Sequence, residues 1–306
     1  MLKYLSKKAI IFGAGGQDGY YLTKLLRELG LDVIGVVRKN PRDGQVIGDV
    51  ADRSFVESLI SSAGSDYIFQ LAAISSIDER FFDANYKAIV EGALNVLRAV
   101  YSTTPDSRVF IPGSALQFVN EGKTLNEDSE RVSENHYSLA RNQSLEIARY
   151  YRTKGVRAYF GYLFHHDSPR RRKNHVAQMI STFAREFEEG QKTRLEIRDP
   201  SFQKEWTFAG DIVRAMWALV NNDTYFEAVV GSGELHSISD WIDHSFEIAG
   251  IDREKYLVSN SDSSSPKPYR SNPVLLKSLG WEPEVGFVEF CEMMMAHGSS
   301  DSQASF

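Results

Sequence analysis

Residues 9–19 read AIIFGAGGQDG, an apolar run that ends directly in a glycine-rich turn. Residues 20–29 continue as an amphipathic helical pattern, so the segment reads as strand, turn and helix. Gly13 can turn tightly, Gly16 lets the backbone approach a pyrophosphate, and Gly19 lets the helix pack closely on the strand. The helix N-terminus favours the anion. The predicted dinucleotide contacts are Gly13, Gly16, Gln17, Asp18 and Gly19.

Apolar runs and helical patterns then alternate along the chain with short connections, which predicts an α/β fold with a Rossmann-type doubly wound parallel sheet. Residues 7–163 are predicted to form the dinucleotide-binding domain. Residues 164–297 are predicted to form mainly a smaller C-terminal substrate-binding lobe, with the chain crossing back to the sheet, and residues 298–306 a disordered tail. The further predicted strands are residues 32–37, 46–50, 66–73, 108–112 and 158–164.

The ends of these strands suggest which dinucleotide binds. Arg38 and Lys39 follow the second strand, where an NAD site usually carries an acidic residue and a 2′-phosphate needs cations. They favour NADP, with NAD as the alternative if the two charges are only solvated. Further contacts are predicted where an acidic side chain could meet the adenine and where small residues leave room for the cofactor: Asp49, Val50, Leu71, Ala72 and Ala73.

A catalytic tyrosine is predicted in the motif Tyr137-Ser138-Leu139-Ala140-Arg141. On a helix, residues four apart share a face, so the phenol of Tyr137 and the charge of Arg141 lie one turn apart. A phenol is mostly protonated at neutral pH, and a nearby fixed cation favours the phenolate. Ser114, at the end of the fifth strand, is predicted to meet Tyr137 over a substrate, where its hydroxyl could hydrogen-bond a reacting oxygen.

Composition excludes several classes of protein. The 306 residues are 42% hydrophobic and 25% charged, with a formal net charge of -6, which argues against nucleic acid as the main partner. The one cysteine, Cys291, excludes an internal disulfide and fits a reducing cytoplasm. No apolar run approaches membrane-spanning length. We therefore expect a cytoplasmic protein with no membrane partner.

Residues 165–173 read HHDSPRRRK and invite a metal interpretation. Adjacent histidines do not easily converge on one ion, and no third ligand follows at helical spacing, so no metal is predicted. The consecutive cations are better interpreted as phosphate contacts or as a solvated loop.

Together these residues resemble the extended short-chain dehydrogenase/reductase family (NAD-dependent epimerases and dehydratases) and, within it, the GDP-mannose 4,6-dehydratases. The resemblance spans nearly the whole chain. It implies a nucleotide-diphosphate sugar as substrate, with a GDP-linked hexose favoured, and a homodimer or homotetramer. It also implies His166 and Arg171 as cofactor contacts and Ser75, Ser114, His165, Asn174 and Lys204 as substrate contacts. Its most specific motifs are residues 13–22 (GAGGQDGYYL), 163–171 (LFHHDSPRR), 231–237 (GSGELHS) and 279–283 (LGWEP).

The departures from the family's pattern lie in the chemistry. The family's active-site strand ends in Ser-Thr-Ser-Glu-Leu-Tyr-Gly, in which the glutamate handles the proton on sugar C5. In this chain Leu116 or, one residue displaced, Ala115 stands at that position. Arginine also replaces the lysine of the family's Tyr-x-x-x-Lys motif.

Three functions remain open. The first is an NADP-dependent dehydratase that begins with hydride transfer at sugar C4, with Tyr137 as acid/base and with another base, such as Glu121 or a water, in place of the glutamate. The second is a 4-keto-sugar reductase or epimerase, which needs no carboxylate at C5. The third is a cofactor-binding pseudoenzyme or regulatory subunit.

Overall fold

The computed structural model describes residues 7–259 and 266–296. Its centre is a seven-stranded sheet in which every neighbouring pair is parallel. The strands of this part of the chain are β1 (Lys8–Phe12), β2 (Asp32–Val37), β3 (Gln45–Ile47), β4 (Tyr67–Gln70), β5 (Arg108–Ser114), β6 (Thr124–Leu125), β7 (Arg157–Leu163), β8 (His166–Asp167), β9 (Leu195–Ile197), β10 (Gln203–Glu205), β11 (Thr207–Phe208), β12 (Glu227–Val230), β13 (Leu235–Ser237), β14 (Leu257–Ser259) and β15 (Arg270–Ser271).

Helices connect the strands of the sheet and cover both of its faces. No helix within residues 7–259 and 266–296 is long and apolar enough to cross a membrane. The α-helices of the same residues are α1 (Gln17–Glu28), α2 (Arg53–Ala63), α3 (Phe82–Asn85), α4 (Gly92–Thr103), α5 (His136–Arg152), α6 (Val176–Arg185), α7 (Ala209–Val220), α8 (Ile238–Ala249), α9 (Arg253–Tyr256), α10 (Val274–Ser278) and α11 (Phe287–Ala296).

The strand order β12-β7-β5-β4-β1-β2-β3 confirms the predicted doubly wound sheet. The chain winds outward in both directions from the neighbouring strands β1 and β4, so the order reverses between them. In such sheets ligands bind beyond the carboxyl ends of the strands at this reversal. The glycine-rich turn after β1 and the small residues after β4 flank it.

The apolar side chains of the sheet pack into two buried clusters, one on each face. One contains Ile10 and Ile111 with helices α2, α4 and α5, and the other contains Ile11 and Phe110 with helices α1 and α7. This division follows from the alternation of side chains along a strand. Each cluster anchors helices whose N-termini border the carboxyl edge of the sheet.

A third hydrophobic cluster lies outside the sheet and joins α6, α8 and α11 around Trp206 and Trp241. The chain reaches it after β8, returns to the sheet through α7 and β12, and packs against the sheet again through α10. Its role as the core of a substrate-binding lobe stays a prediction. The predicted tail at residues 298–306 lies outside the described residues.

Several element boundaries differ from the sequence prediction, among them the fourth strand, which ends at Gln70 and not at residue 73. The third strand ends at Ile47, not at residue 50, because Asp49 turns back to accept the N–H of Ala51 at 2.9 Å. The fifth strand runs on to Ser114. The predicted helix at residues 85–101 is interrupted by a π-helical segment, Tyr86–Glu91, between α3 and α4.

Candidate active site

The glycine-rich turn has the geometry of a phosphate cradle. Gly13 has φ +86°, and a Cβ on it would lie 2.8 Å from the backbone nitrogen of Ala72. A Cβ on Gly19 would collide with the carbonyl oxygen of Gly13. By contrast, a Cβ on Gly16 would meet only that carbonyl oxygen, at 3.3 Å. Two glycines are therefore required by the protein's own packing, whereas Gly16 leaves space for a ligand.

The N-terminus of α1 is open toward this space. Its N-cap residue, Gly16, has no side chain that could accept the first N–H groups of the helix. Unpaired N–H groups and the helix dipole attract an anion. The turn therefore fits the pyrophosphate of a dinucleotide.

The residues predicted to meet the adenosine half of the cofactor lie after β2 and β3. Arg38 and Lys39 are exposed directly after Val37, and no ion pair of either is found among the described residues. Asn95 donates to the carbonyl oxygens of Val50 and Ala51, both at 3.1 Å, and so fixes the turn after β3. One oxygen of Asp49 is used within this turn.

Three predicted cofactor contacts, Leu71 to Ala73, follow β4 and are held by a side chain that the sequence prediction missed. Gln70 is 1% exposed; its Oε1 accepts the N–H of Ala72 at 2.8 Å and its Nε2 donates to the carbonyl of Ala88 at 2.6 Å. That carbonyl belongs to the π-helical segment, so Gln70 ties the strand end to the interrupted helix. Buried Asn85 accepts the N–H of Ile74 at 2.9 Å and fixes the next turn of the loop.

Tyr137 and Arg141 are in direct contact. One Nη of Arg141 donates to the phenol oxygen of Tyr137 at 3.1 Å, and the other donates to the carbonyl of Pro112 in β5 at 2.7 Å. The guanidinium carbon lies 5.1 Å from the centroid of the tyrosine ring. Both side chains are buried, and the Nε of Arg141 has no protein partner. The arginine thus fixes the phenol next to the carboxyl end of β5.

Ser114 ends β5 two residues after Pro112. Its Oγ accepts the N–H of Leu116 at 3.3 Å, and its N–H donates to Gln117 Oε1 at 2.8 Å. Gln117 in turn donates to Asn142 on α5 at 2.9 Å. The serine therefore caps a short 3-10 turn, Ala115–Gln117, and its hydroxyl hydrogen is not used in that cap.

The structure settles which residue of this turn faces the tyrosine. Leu116 packs against the small cluster of Tyr137, Ile89, Val90 and Ala140, whereas Ala115 joins the main core on the face of the sheet with α5. Of the two alternatives for the position of the family's glutamate, Leu116 is thus the side chain that lies beside Tyr137. Glu121, suggested above as a substitute base, is exposed and pairs with Lys123 at 2.6 Å, so this suggestion is not supported.

His166 and Asp18 form an ion pair across the site. The Nε2 of His166 lies 3.1 Å from Asp18 Oδ1, and its Nδ1 donates to the carbonyl of Phe164 at 2.7 Å. Since both partners accept, both ring nitrogens carry a proton. Burial lowers the pKa of His166, but Asp18 together with the carbonyl of Phe164 makes the net shift upward. Burial raises the pKa of Asp18, but His166 together with Gln17 and Arg171 makes the net shift downward. Ser168 donates to Gln17 at 2.8 Å and adds a second link to α1.

His165, Arg171 and Lys204 surround a buried carboxylate, Asp167. Arg171 Nε lies 3.1 Å and His165 Nε2 lies 3.8 Å from Asp167, yet neither oxygen of Asp167 has a hydrogen bond from the protein. Burial raises the pKa of Asp167 to about 6. Burial and nearby Lys204 hold the pKa of His165 well below its ordinary value, so its imidazole is neutral, with Nδ1 donating to the carbonyl of Glu205 at 2.8 Å.

The remaining predicted substrate contacts are less constrained. Ser75 and Asn174 are exposed on loops, and no contact within the described residues brings either toward Tyr137. Gln178, on α6, is buried and donates to the carbonyl of Pro169 at 2.7 Å. It therefore helps to fix the loop after β8.

The fold and this site define a Rossmann-type protein of the extended short-chain dehydrogenase/reductase class. The chain belongs to the GDP-mannose 4,6 dehydratase family, whose sequence model matches residues 10–294. It is 28% identical to GDP-mannose 4,6 dehydratase 1 of Arabidopsis thaliana, over 94% of this chain and 89% of that protein. It is 29% identical to the human GDP-mannose 4,6 dehydratase, over 94% of this chain and 90% of that protein.

Solved structures show the same fold. The UDP-glucose 4-epimerase of Thermotoga maritima, solved with UDP-glucose, superposes with a TM-score of 0.82 at 18% identity, covering 94% of this chain and 97% of that one. The dTDP-glucose 4,6-dehydratase of Bacillus anthracis, solved in complex with NAD, superposes with a TM-score of 0.81 at 14% identity, covering 94% and 95%.

Proposed function

We propose that this protein transfers hydride to or from C4 of a nucleotide-linked hexose, using NADP(H) and Tyr137 as acid/base, and that it does not dehydrate the sugar. The observation that carries this proposal is the contact of Arg141 with Tyr137 beside Leu116. A positioned phenol supports redox chemistry at a carbinol carbon, whereas a leucine cannot remove the C5 proton.

The dinucleotide would be held by the residues after the carboxyl ends of β1, β2 and β4. The open N-terminus of α1 suits the pyrophosphate, and Arg38 with Lys39 suits a 2′-phosphate. The ion pair of His166 with Asp18 supports this turn from the other side. When bound, the dinucleotide supplies or accepts the hydride.

The protein's own part in the reaction is proton transfer and orientation. In the reducing direction C4 gains a hydride, and the phenol of Tyr137 gives its proton to the C4 oxygen, which converts the ketone to an alcohol. Arg141 donates to the phenol oxygen and stabilises the negative charge left there. The free hydroxyl hydrogen of Ser114 is suited to orient the C4 oxygen. Solvent then returns a proton to the phenolate.

A diphosphate would be held by the cations Arg171 and Lys204, which lie around Asp167. Burial lowers the pKa of Lys204, Asp167 offsets part of this shift, and repulsion from Arg171 lowers the pKa further. Burial together with repulsion from Arg171 and Lys204 lowers the pKa of His175 to about 4. An anionic ligand relieves that repulsion. Family membership favours GDP as the nucleotide.

We also propose a homodimer. Helices α3, α4 and α5 and the π-helical segment between α3 and α4 expose several large apolar side chains, which are candidates for a helical interface. These are Phe82 (39% exposed), Tyr86 (37%), Tyr101 (51%), Leu139 (37%) and Tyr150 (57%).

Two incubations of the purified chain test the proposed reaction. With NADPH and a GDP-linked 4-keto-hexose that carries either a methyl or a hydroxymethyl group at C5, we expect loss of absorbance at 340 nm and a 4-hydroxy product. With NADP and GDP-mannose, we expect no 4-keto-6-deoxy product by mass spectrometry. A 4-keto-6-deoxy product would show dehydration and refute the proposal. Dinucleotide binding without turnover of any of these sugars would instead identify a cofactor-binding regulatory subunit.

A further inference from the structure

The side chain that replaces the family's glutamate creates an apolar surface beside the catalytic tyrosine. Leu116 is only partly buried, and it packs against the cluster that contains Tyr137. Ala73, at the end of the loop segment after β4, is also partly buried and packs against the same cluster. Leucine and alanine therefore approach the tyrosine from two neighbouring strand ends.

Apart from the hydroxyl hydrogen of Ser114, which the proposed function assigns to the C4 oxygen, the side-chain polar groups of the turn that carries Leu116 are already used. The Oγ of Ser114 accepts from the backbone of the turn, and the side-chain oxygen and nitrogen of Gln117 are bonded to Ser114 and Asn142. Gln117 is fully buried. The turn thus offers no free acceptor or carboxylate next to Leu116.

This placement has a consequence for the sugar, given the function proposed above. Tyr137 acts on the C4 oxygen, and C6 is attached to C5, the carbon next to C4. A side chain that packs against Tyr137 on the side of the strand ends therefore lies within reach of the group at C6. A hydroxyl buried there without a partner loses its hydrogen bonds to water, whereas a methyl group gains from burial.

We propose that the substrate is a nucleotide-linked 6-deoxyhexose, whose C6 methyl group packs on Leu116 and Ala73. In the reducing direction a 4-keto-6-deoxyhexose and NADPH give the 4-hydroxy-6-deoxyhexose and NADP, with one hydride to C4 and one proton to its oxygen. Water must already have left C6 of such a substrate. The reaction that supplies it is accordingly a 4,6-dehydration performed by another enzyme.

The experiment compares kcat/KM for two GDP-linked 4-keto-hexoses that differ only at C6, one with a methyl and one with a hydroxymethyl group, at fixed NADPH. We expect the methyl compound to be favoured about 10- to 100-fold, the range over which an apolar pocket discriminates such groups. Equal rates, or preference for the hydroxymethyl compound, would overturn the inference while leaving the proposed function intact. No turnover of either compound would instead overturn the proposed function.

Two substitutions sharpen the comparison. Leu116→Gln places a donor and acceptor at the surface, so the preference should shrink at least tenfold or reverse through changes in KM. Leu116→Met keeps the apolar character at similar volume and should retain the preference. Since the side chain is partly exposed, both variants should fold, which thermal unfolding with and without NADP checks. An unchanged ratio in Leu116→Gln would exclude Leu116 as the specificity residue.

Discussion

Arg141 joins Tyr137 to strand β5: one end of its guanidinium donates to the phenol oxygen at 3.1 Å and the other to the carbonyl of Pro112 at 2.7 Å. A planar guanidinium can make both contacts at once, whereas an ammonium is a single point charge on a flexible stem. The arginine is therefore integrated into the site and is more than a longer substitute for lysine.

Restoring the family's lysine should accordingly reduce activity. In Arg141→Lys the Pro112 carbonyl or the phenol loses its partner, and loss of one charge-assisted hydrogen bond of about 1.5–3 kcal/mol predicts a roughly 10- to 100-fold lower kcat. Steady-state kinetics with NADPH measure this. The control is Arg152→Lys, the same change on the same helix at a side chain that pairs with Glu227. We expect its kcat to be unchanged. Higher activity in Arg141→Lys would show that arginine supports the reaction less well than the family's lysine does.

Removing the phenol oxygen should abolish proton transfer without disturbing the dinucleotide site. Tyr137→Phe is expected to lower kcat by about 10²–10⁴-fold, the usual contribution of general acid/base catalysis. Fluorescence titration should give an NADPH affinity close to that of the wild type. Tyr151→Phe on the same helix serves as the control. If turnover survives in Tyr137→Phe, the tyrosine has no part in the mechanism.

The choice of dinucleotide should depend on Arg38. Arg38→Ala removes one cation from the proposed 2′-phosphate site, and a charge-assisted contact of about 1.5–3 kcal/mol predicts roughly 10- to 100-fold weaker NADP binding, with NAD binding unchanged. Calorimetry with both dinucleotides measures the ratio. Arg42→Ala, an exposed arginine of the same loop, should leave the ratio as it is. If Arg38→Ala weakened the binding of NAD and NADP equally, Arg38 would stabilise the loop and would not contact the 2′-phosphate.

The ion pair of His166 and Asp18 should give stability a defined pH dependence. The pKa of His166 is raised above its ordinary 6.5, so its contribution is complete below pH 6.5 and is lost as the pH rises through the folded-state value. The pKa of Asp18 is lowered below 3.8, so its contribution is present above that pH and is lost on acidification. Between these limits His166→Asn should lower the free energy of unfolding by about 1–3 kcal/mol.

Denaturant titrations of the wild type, His166→Asn and Asp18→Asn from pH 4 to 9 measure that window. The difference between wild type and His166→Asn should shrink toward the alkaline end. The double variant should be no less stable than either single variant if the two side chains act only through each other. A difference that grows with rising pH would contradict the assigned charge states.

The proposed dimer predicts that a charge on the exposed face of α5 separates the subunits. Leu139→Glu should shift the sedimentation coefficient from that of a dimer to that of a monomer, because an unpaired carboxylate would be buried in the interface. Ile248→Glu, on an even more exposed apolar residue of α8, should leave assembly unchanged. A wild-type protein that sediments as a monomer at micromolar concentration would refute the dimer directly.

The sequence predicted those features that depend on local chemistry. Gly13 and Gly19 could be assigned from spacing, because the steric demand on each arises within the strand, turn and helix that they connect. Gln70 and Asn85 could not, since their roles depend on a π-helical segment whose position is set by packing against α5. Their only signal was a polar residue within an apolar strand or at the start of a helical pattern.

Leu116 illustrates the same limit at the site itself. The resemblance to the family's motif left Ala115 and Leu116 as alternatives, one residue apart, for the position of the glutamate. Only the three-dimensional packing, which sends one toward the main core and the other toward Tyr137, distinguishes them.

Buried Glu205 adds a constraint on the order in which the protein is completed. Its carboxylate accepts from the N–H and the hydroxyl of Ser271, and it follows directly after Lys204, a proposed substrate contact. Every proposed dinucleotide contact precedes residue 172, whereas these hydrogen bonds need a residue made a hundred positions later. During synthesis the segments proposed to hold the dinucleotide can therefore assemble well before Ser271 fixes Glu205 next to Lys204.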